Sequence, residues 1–473
     1  VADDRLIVVL DVGKTLAKLS LWTPGGELVA RDARANQRID AGAYVALDAG
    51  GIEAWVAETL GEFARKGRVG AIVPVAHGAA AAIVRGGELV LPPLDYEAAI
   101  PQADRDAYER ERDPFAQTGS PALPDGLNLG AQLHYLERLH PGVLEGAQIL
   151  PWPQYWAWRL SGVAASEATS LGCHSDLWRP GARAPSELAQ RRGWAARLAP
   201  LARAGEVLGV ITADWARRTG LPADVKVYCG LHDSNAALLA ARGFPEIAEG
   251  EATVLSTGTW FVAMRTPDDA ATVDLAALPE GRDCLVNIDA FGRLIPSARF
   301  MGGREIELLT GIDTRRIDIK PDQPALVDAV AQVVASGARV LPTFAPGVGP
   351  FPHQDGRWID MPADQAARRA AVSLYAACMA DVSLDLIGAR SRILIEGRFA
   401  EAEVFVRGLA SLRPNDRIYV SNAHNDVSYG ALRLLNPALR PTSALLPVQP
   451  LEVPLAAYRE AWRGDVEGAE PGA

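Results

Sequence analysis

Leu6-Ile7-Val8-Val9-Leu10-Asp11-Val12-Gly13-Lys14-Thr15 is the stretch on which the reading of this 473-residue chain turns. Its unbroken apolar run, with β-branched residues at 7, 8 and 9, predicts a central strand covered on both faces. A second run, 17–22, alternates in polarity, and Pro24-Gly25-Gly26 turns the chain into a third run at 27–31. A helical pattern at 52–66 and a strand at 71–75 complete the opening. The result is a mixed sheet with helices, an α/β protein without pure βαβ alternation. In the turn, Gly13 lets the backbone approach an anionic group, Thr15 adds a hydroxyl, and Lys14 or Lys18 adds charge. A carboxylate at a strand end would repel a phosphate unless a divalent cation lies between them, so Asp11 reads as an anchor for a metal or a metal-bound water. Gly13-Lys14-Thr15 has the ending of a P-loop, but the first glycine of that motif would fall at Val8, inside the strand. An ordinary tight hairpin accounts for the same residues.

The pattern returns in the second half. A strand at 252–256, the turn Thr257-Gly258-Thr259 and a strand at 260–265 follow a break in periodicity at 244–250. Two similar halves are expected, 1–245 and 246–473. The second turn is another candidate phosphate cradle, or a plain hairpin. Ile393-Leu394-Ile395-Glu396-Gly397-Arg398 reads as a strand ending in a glycine, which would admit a flat ligand or simply turn the chain into a helix at 401–412. Asp233 lies in Gly230-Leu231-His232-Asp233-Ser234-Asn235, between a strand at 225–229 and a helix at 236–241. It reads equally as a helix cap or as a general base. His232 is a ligand contact or a satisfied loop histidine. Residues 364–388 predict a long helix, 102–128 an exposed charged excursion, and the polar residues from 463 a frayed tail.

Composition narrows the function classes. With 49% hydrophobic and 22% charged residues, the chain is neither disordered nor fibrous. A net charge of −11 is a poor match to nucleic acid or to a membrane surface. Cys173, Cys229, Cys284 and Cys378 are scattered, without metal-ligand spacing, and read as buried free thiols. The longest apolar stretch, 69–84, is broken by Pro74 and His77, and the start Val-Ala-Asp-Asp has no secretory character. A cytoplasmic protein is expected. Of only five lysines, Lys14 and Lys18 fall in the first turn, and Lys14 at its apex is the better phosphate contact.

Together these motifs resemble the FGGY carbohydrate kinases of the actin-like ATPase superfamily, over roughly residues 5–440. Tyr155 to Gly162 is also similar to that family's Tyr-x-x-x-Arg-Leu-Thr-Gly stretch. The resemblance implies two actin-like (ribonuclease H-like) domains, each a mixed sheet flanked by helices, with an ATP/sugar cleft between them. It implies a sugar site and catalytic base in 1–245 and most of the nucleotide site in 246–473. ATP would be bound by Gly13, Lys14, Thr15, Lys18, Gly258, Thr259, Gly302 and Gly397. Asp233 would be the base, Asp11 and Asp233 would hold Mg²⁺ through water, and His77, Gly78, His232, Ser234 and Asn287 would meet the sugar. A small sugar and ATP are the implied partners, of a monomer or homodimer. His232-Asp233-Ser234 and Ser256-Thr257-Gly258-Thr259-Trp260 are most similar to the L-rhamnulokinase and L-fuculokinase branch, which implies a deoxyketose. Another ketose or polyol (xylulose, ribulose, erythritol, glycerol) is the alternative, and an inactive sugar-binding relative a further one. The chain departs from the family pattern at Glu396-Gly397-Arg398, where small residues are usual. It departs again at Lys14, commonly Thr or Ser, and at Pro153-Gln154, often Lys-Asp.

Overall fold

Alternate residues of strand β1 (Leu6–Val12) enter different cores. Val8, Leu10 and Val12 pack with Ile52, Val56, Leu60 and Phe63 on one face, and Ile7 and Val9 pack with Val73, Val75, Ala431 and Leu432 on the other. Both faces are covered, which is why the strand needs no polar alternation. The computed structural model describes residues 4–268, 273–421 and 427–468. It divides into unit 1, residues 1–243, 286–294 and 425–440, and unit 2, residues 244–285, 295–424 and 441–473. The division differs from one cut at 245/246, because Ile288 is buried with Leu171 and Trp178, and Ala431, Leu432 and Leu439 are buried in the unit 1 core.

In unit 1, β1 pairs antiparallel with β2 (Leu16–Trp22), which pairs with β3 (Leu28–Ala35). On its other side β1 runs parallel to β4 (Val69–Ala76). The sheet continues through β5 (Val207–Val210) and β6 (Lys226–Tyr228) in the order β5-β6-β4-β1-β2-β3, and the short β7 (Leu231–His232) also pairs parallel with β4. Helix α1 (Ala49–Ala64) covers one face, capped by the Asp48 carboxylate, which accepts the Gly51 N–H. Asp233 opens helix α2 (Asp233–Ala241).

The excursion expected at 102–128 is instead packed. Its helices Gln102–Glu109 and Phe115–Thr118 bury Tyr108 and Phe115. Its charges find partners: Arg112 pairs with Asp176, Arg138 with Asp104, and Arg105 donates to the carbonyls of Leu123 and Asp125. Gln102, Asp106, Glu109 and Arg110 stay exposed, so the excursion is solvated on one side and paired on the other.

Unit 2 repeats the arrangement. Strand β8 (Ala252–Thr257) pairs antiparallel with β9 (Phe261–Thr266) and parallel with β11 (Arg392–Gly397). With β10 (Leu294–Phe300), β12 (Arg417–Val420) and β13 (Leu446–Pro447), the order inward from the edge strand Cys284–Ile288 is β10-β9-β8-β11-β12-β13. Helix α3 (Gly302–Thr310), the 22-residue α4 (Gln365–Leu386) and α5 (Glu403–Leu412) flank the sheet. Of the tail expected to fray from 463, residues 463–467 instead end the last helix, α6 (Ala456–Glu467), and 469–473 lie outside the described residues. Trp462 and Val466 are buried there, and Arg463 bonds the carboxylates of Asp381 and Asp385 at 2.7 and 2.6 Å.

Candidate active site

Three parallel strands of unit 1 end side by side. In register, Asp11 faces Val75 and Leu231 faces Val75, while Val12 and His232 both face Ala76. With neighbouring strands about 4.8 Å apart, Asp11, His77 and Asp233 therefore leave adjacent strand ends. The carboxyl edge of such a sheet is where α/β proteins bind ligands.

The Asp11 carboxylate is buried, with the Lys18 ammonium 3.4 Å from its Oδ2. Residues 11 and 18 are cross-strand partners, so the hairpin itself makes the pair. The turn between them is closed by Gly13 N–H donating to Leu16 O at 3.0 Å, and Asn36 Nδ2 donates to Gly13 O at 2.8 Å. Thr15 is left exposed at the tip. Lys14 turns away: its ammonium bonds the buried Asp95 carboxylate, lies 3.7 Å from Glu97, and sits 4.5 Å from the Tyr96 ring centroid.

Tyr96 meets His77 edge-on, with centroids 5.4 Å apart. Burial pushes the His77 imidazole down to about 4 against the pull of the Asp233 charge, so His77 is neutral at pH 7. Gly78 is forced to be glycine, because a Cβ there would lie 2.8 Å from Cys173 Sγ and 3.1 Å from the His232 ring.

Asp233 keeps 27% of its side chain exposed. Its Oδ1 is 3.1 Å from His232 Nε2 and accepts the Ser234 N–H at 2.6 Å. Burial alone would raise this carboxyl, but the hydrogen bond and charge of His232 with the Ser234 N–H hold it at about 2, so Asp233 is an anion. Asp233 is the first residue of its helix rather than its cap, a position that His232 holds, and its carboxylate is a partly exposed anion there. Both ring nitrogens of His232 are engaged within the protein: Nε2 faces Asp233 Oδ1 and Nδ1 lies 3.2 Å from Asn235 Nδ2; burial opposes its charge, but Cys173 and Asp233 hold its pKa well above the ordinary imidazole value. Ser234 Oγ lies 3.3 Å from Asp233 Oδ1. Asn287 is buried in the strand Cys284–Ile288.

Sequence reasoning missed the residues that hold this cluster. Gln154 donates to the carbonyls of Cys229 and Gly230, at 3.3 and 3.2 Å, fixing the bend before His232. Thr169 and Cys173 touch His232, and Asp95 and Tyr96 face Lys14 and His77. Gln154 stood out only as a departure from the family pattern, and the others lie in no motif read from the sequence.

In unit 2, three predicted residues converge. Gly397, at φ +88°, leaves no room for a side chain: a Cβ would lie 2.3 Å from Thr257 O. The Thr257 hydroxyl donates to Glu396 O at 2.6 Å and accepts the Phe399 N–H at 3.1 Å. Gly303 presses on the second turn, since its Cβ would lie 2.0 Å from Gly258 O, and Arg304 N–H donates to Thr259 O at 3.4 Å. Gly258, Thr259 and Gly397 are therefore knitted together by backbone contacts, with Gly303 and Arg304 pressing on them from the start of α3. Helix α3 begins at Gly302, and a helix N-terminus suits an anion such as a phosphate. Arg398 lies over the Phe399 ring at 5.4 Å, with Glu307 3.9 Å away.

Among the described residues, no cluster of three or more His, Cys, Asp or Glu side chains could cage a metal. A hard cation that keeps most of its water needs only one or two carboxylates, and Asp11 and Asp233, both carboxyl oxygen donors at strand ends, fit Mg²⁺ in that mode. Among the described residues, no helix is long and apolar enough to cross a membrane.

Residues 249–442 match the family described as Carbohydrate kinase FGGY, C-terminal domain. An L-fuculokinase of Salmonella typhi is 27% identical over 359 residues, covering 72% of this chain and 71% of that protein. The crystal structure of a carbohydrate kinase from Novosphingobium aromaticivorans is 55% identical, with a TM-score of 0.95 over 99% of this chain and 100% of that one. The xylulose kinase of Rhodospirillum rubrum, 18% identical, shares the fold with a TM-score of 0.77 over 98% of each chain. The chain belongs to the FGGY carbohydrate kinases, with their actin-like ATPase fold, and is an ATP-dependent sugar kinase, a phosphotransferase acting on a small sugar.

Proposed function

We propose that this kinase phosphorylates a primary hydroxyl of a deoxyketose such as L-rhamnulose or L-fuculose, with Asp233 as the base. The observation that carries the proposal is the anionic, partly exposed Asp233 carboxylate at a strand end, beside neutral His77. The relation to a protein named L-fuculokinase supports the sugar class.

In this reading His77, Gly78, Ser234 and Asn287 form the sugar side, with His232 acting mainly through Asp233. Gly13, Thr15, Lys18, Gly258, Thr259, Gly302 and Gly397 bind ATP, and Lys14 braces the segment Asp95–Glu97. Mg²⁺, held through water by Asp11 and Asp233, would neutralise phosphate charge. Asp233 accepts a hydrogen bond from the sugar hydroxyl and aims its oxygen at the γ-phosphorus. A carboxyl held at about 2 is a weak base, so the proton moves late, after the O–P bond has begun to form and the hydroxyl has become acidic. In a loose phosphoryl transfer, such positioning supplies most of the catalysis. An ATP consumer of this kind belongs in the cytoplasm, as a monomer or homodimer.

His77-Gly78 is also similar to the His-Gly of xylulokinases, so this position does not decide between a deoxyketose and xylulose, the second reading. A kinase assay over L-fuculose, L-rhamnulose, xylulose, ribulose, erythritol and glycerol tests both. The highest kcat/KM on a deoxyketose, with product phosphorylated at a primary hydroxyl, supports the proposal. A higher value on xylulose or a polyol overturns the sugar class, and sugar binding without ATP consumption overturns the activity.

A further inference from the structure

One short segment holds the histidine beside the base from two directions. The backbone N–H of His232 donates to Thr169 Oγ1 at 3.0 Å, and Cys173 Sγ lies 3.6 Å from His232 Nε2. Thr169 is wholly buried, so its hydroxyl has no water to fall back on. A hydroxyl has one proton to give and lone pairs to receive. The Thr169 proton goes to Glu167 Oε2, 2.5 Å away, which leaves its lone pairs facing the His232 N–H. The same carboxylate oxygen accepts the backbone N–H groups of Thr169 at 2.9 Å and Ser170 at 3.3 Å, so Glu167 is itself fixed. The order of donors and acceptors is therefore set along the whole path: Glu167 accepts from Thr169, Thr169 accepts from His232, and His232 Nε2 lies against Asp233.

We infer that Thr169, oriented by Glu167, is a positioning residue for phosphoryl transfer, setting the height of His232 and through it the aim of the Asp233 carboxylate. The inference rests on the reading of Asp233 as the base. His232 is the last residue of β7 and Asp233 the first of α2, so the base stands on a strand-to-helix corner. On its strand side that corner pairs, among the described residues, with the end of β4, at Val75 and Ala76. The Thr169 hydroxyl is a further tie on the backbone at this corner. Its loss lets the corner shift without opening either the sheet or the helix, and a misplacement of order 1 Å at a reacting group costs about 10²-fold in rate.

The test compares Thr169→Val, which keeps the shape and removes the hydroxyl, with Thr169→Ser, which keeps the hydroxyl. ADP binding checks that each variant is folded. Thr169→Val is expected to lose about 10- to 100-fold in kcat with both KM values within about 3-fold of the parent, and Thr169→Ser to recover most of that loss. Three results overturn the inference: full kcat in Thr169→Val, a loss carried by sugar KM alone, or no rescue in a Thr169→Ser protein that binds ADP normally. Asp233→Asn, run alongside, separates the two claims. If it is inactive and Thr169→Val is not impaired, only the positioning role falls; if it is active, the base assignment falls.

Discussion

Gly303→Ala probes the nucleotide half of the site through a single added methyl. That Cβ would lie 2.0 Å from Gly258 O and 3.2 Å from the Phe399 ring. Ordinary contact begins near 3.4 Å, so the second turn or the start of α3 must yield by about 1.4 Å, and the nearer obstacle is backbone rather than a flexible side chain. In an unobstructed helix the change would stabilise by about 0.8–1.0 kcal/mol. Overpacking of this kind costs about 1–3 kcal/mol, so net destabilisation of about 1 kcal/mol is expected. The effect on catalysis is larger, because Gly258 and Thr259 move by a distance that costs on the order of 10²-fold in kcat/KM for ATP. Gly464→Ala in α6 is the control: nothing lies within 4 Å of its Cβ, and it should stabilise the protein by about 0.5–1 kcal/mol. Urea unfolding and initial rates at varied ATP and at varied sugar read both effects. A Gly303→Ala protein with kcat/KM for ATP within about 2-fold of the parent would refute the assignment of this turn to the nucleotide.

Lys14→Met should raise sugar KM more than ATP KM, about 10-fold against about 2-fold, because Lys14 braces Asp95 and Tyr96; Lys18→Met should do the reverse. A selective rise in ATP KM in Lys14→Met would return Lys14 to the phosphate contact its sequence position suggests. His77 makes stability depend on pH. The folded protein refuses a proton that the unfolded chain accepts, so its contribution is full above about 6.5 and is lost as pH falls toward about 4. That contribution is about 3 kcal/mol, and Asn at 77 should flatten the change in urea midpoint between about pH 7.5 and 4.5. An unchanged pH dependence in His77→Asn would contradict it.

What could be read from the sequence was local. The run 6–10 gives a strand buried on both faces because every residue in it is apolar, and the two Gly/Thr turns fall at matching places in the two units. What could not be read depends on distant partners. Lys14 looks like a phosphate ligand until Asp95, 81 residues away, takes its ammonium. Arg112 in the excursion and Arg463 near the end of the last helix look solvated until Asp176, Asp381 and Asp385 pair with them. The return of 286–294 and 425–440 to unit 1 is written in what buries Ile288, Ala431 and Leu432, not in any pattern along the chain. The candidate base was legible from its motif, whereas Thr169, Cys173 and Asn235, which hold its histidine, occupy positions that a sequence leaves silent.

The central claim is that Asp233 is the base, and Asp233→Asn tests it most directly. Asparagine keeps the size of the side chain and can still accept the Ser234 N–H, but it carries no charge and cannot take the hydroxyl proton. Turnover should fall by about 10²–10⁴-fold, with sugar and ATP binding, measured by calorimetry, retained. Near-parental turnover in a protein that binds both substrates would contradict the account.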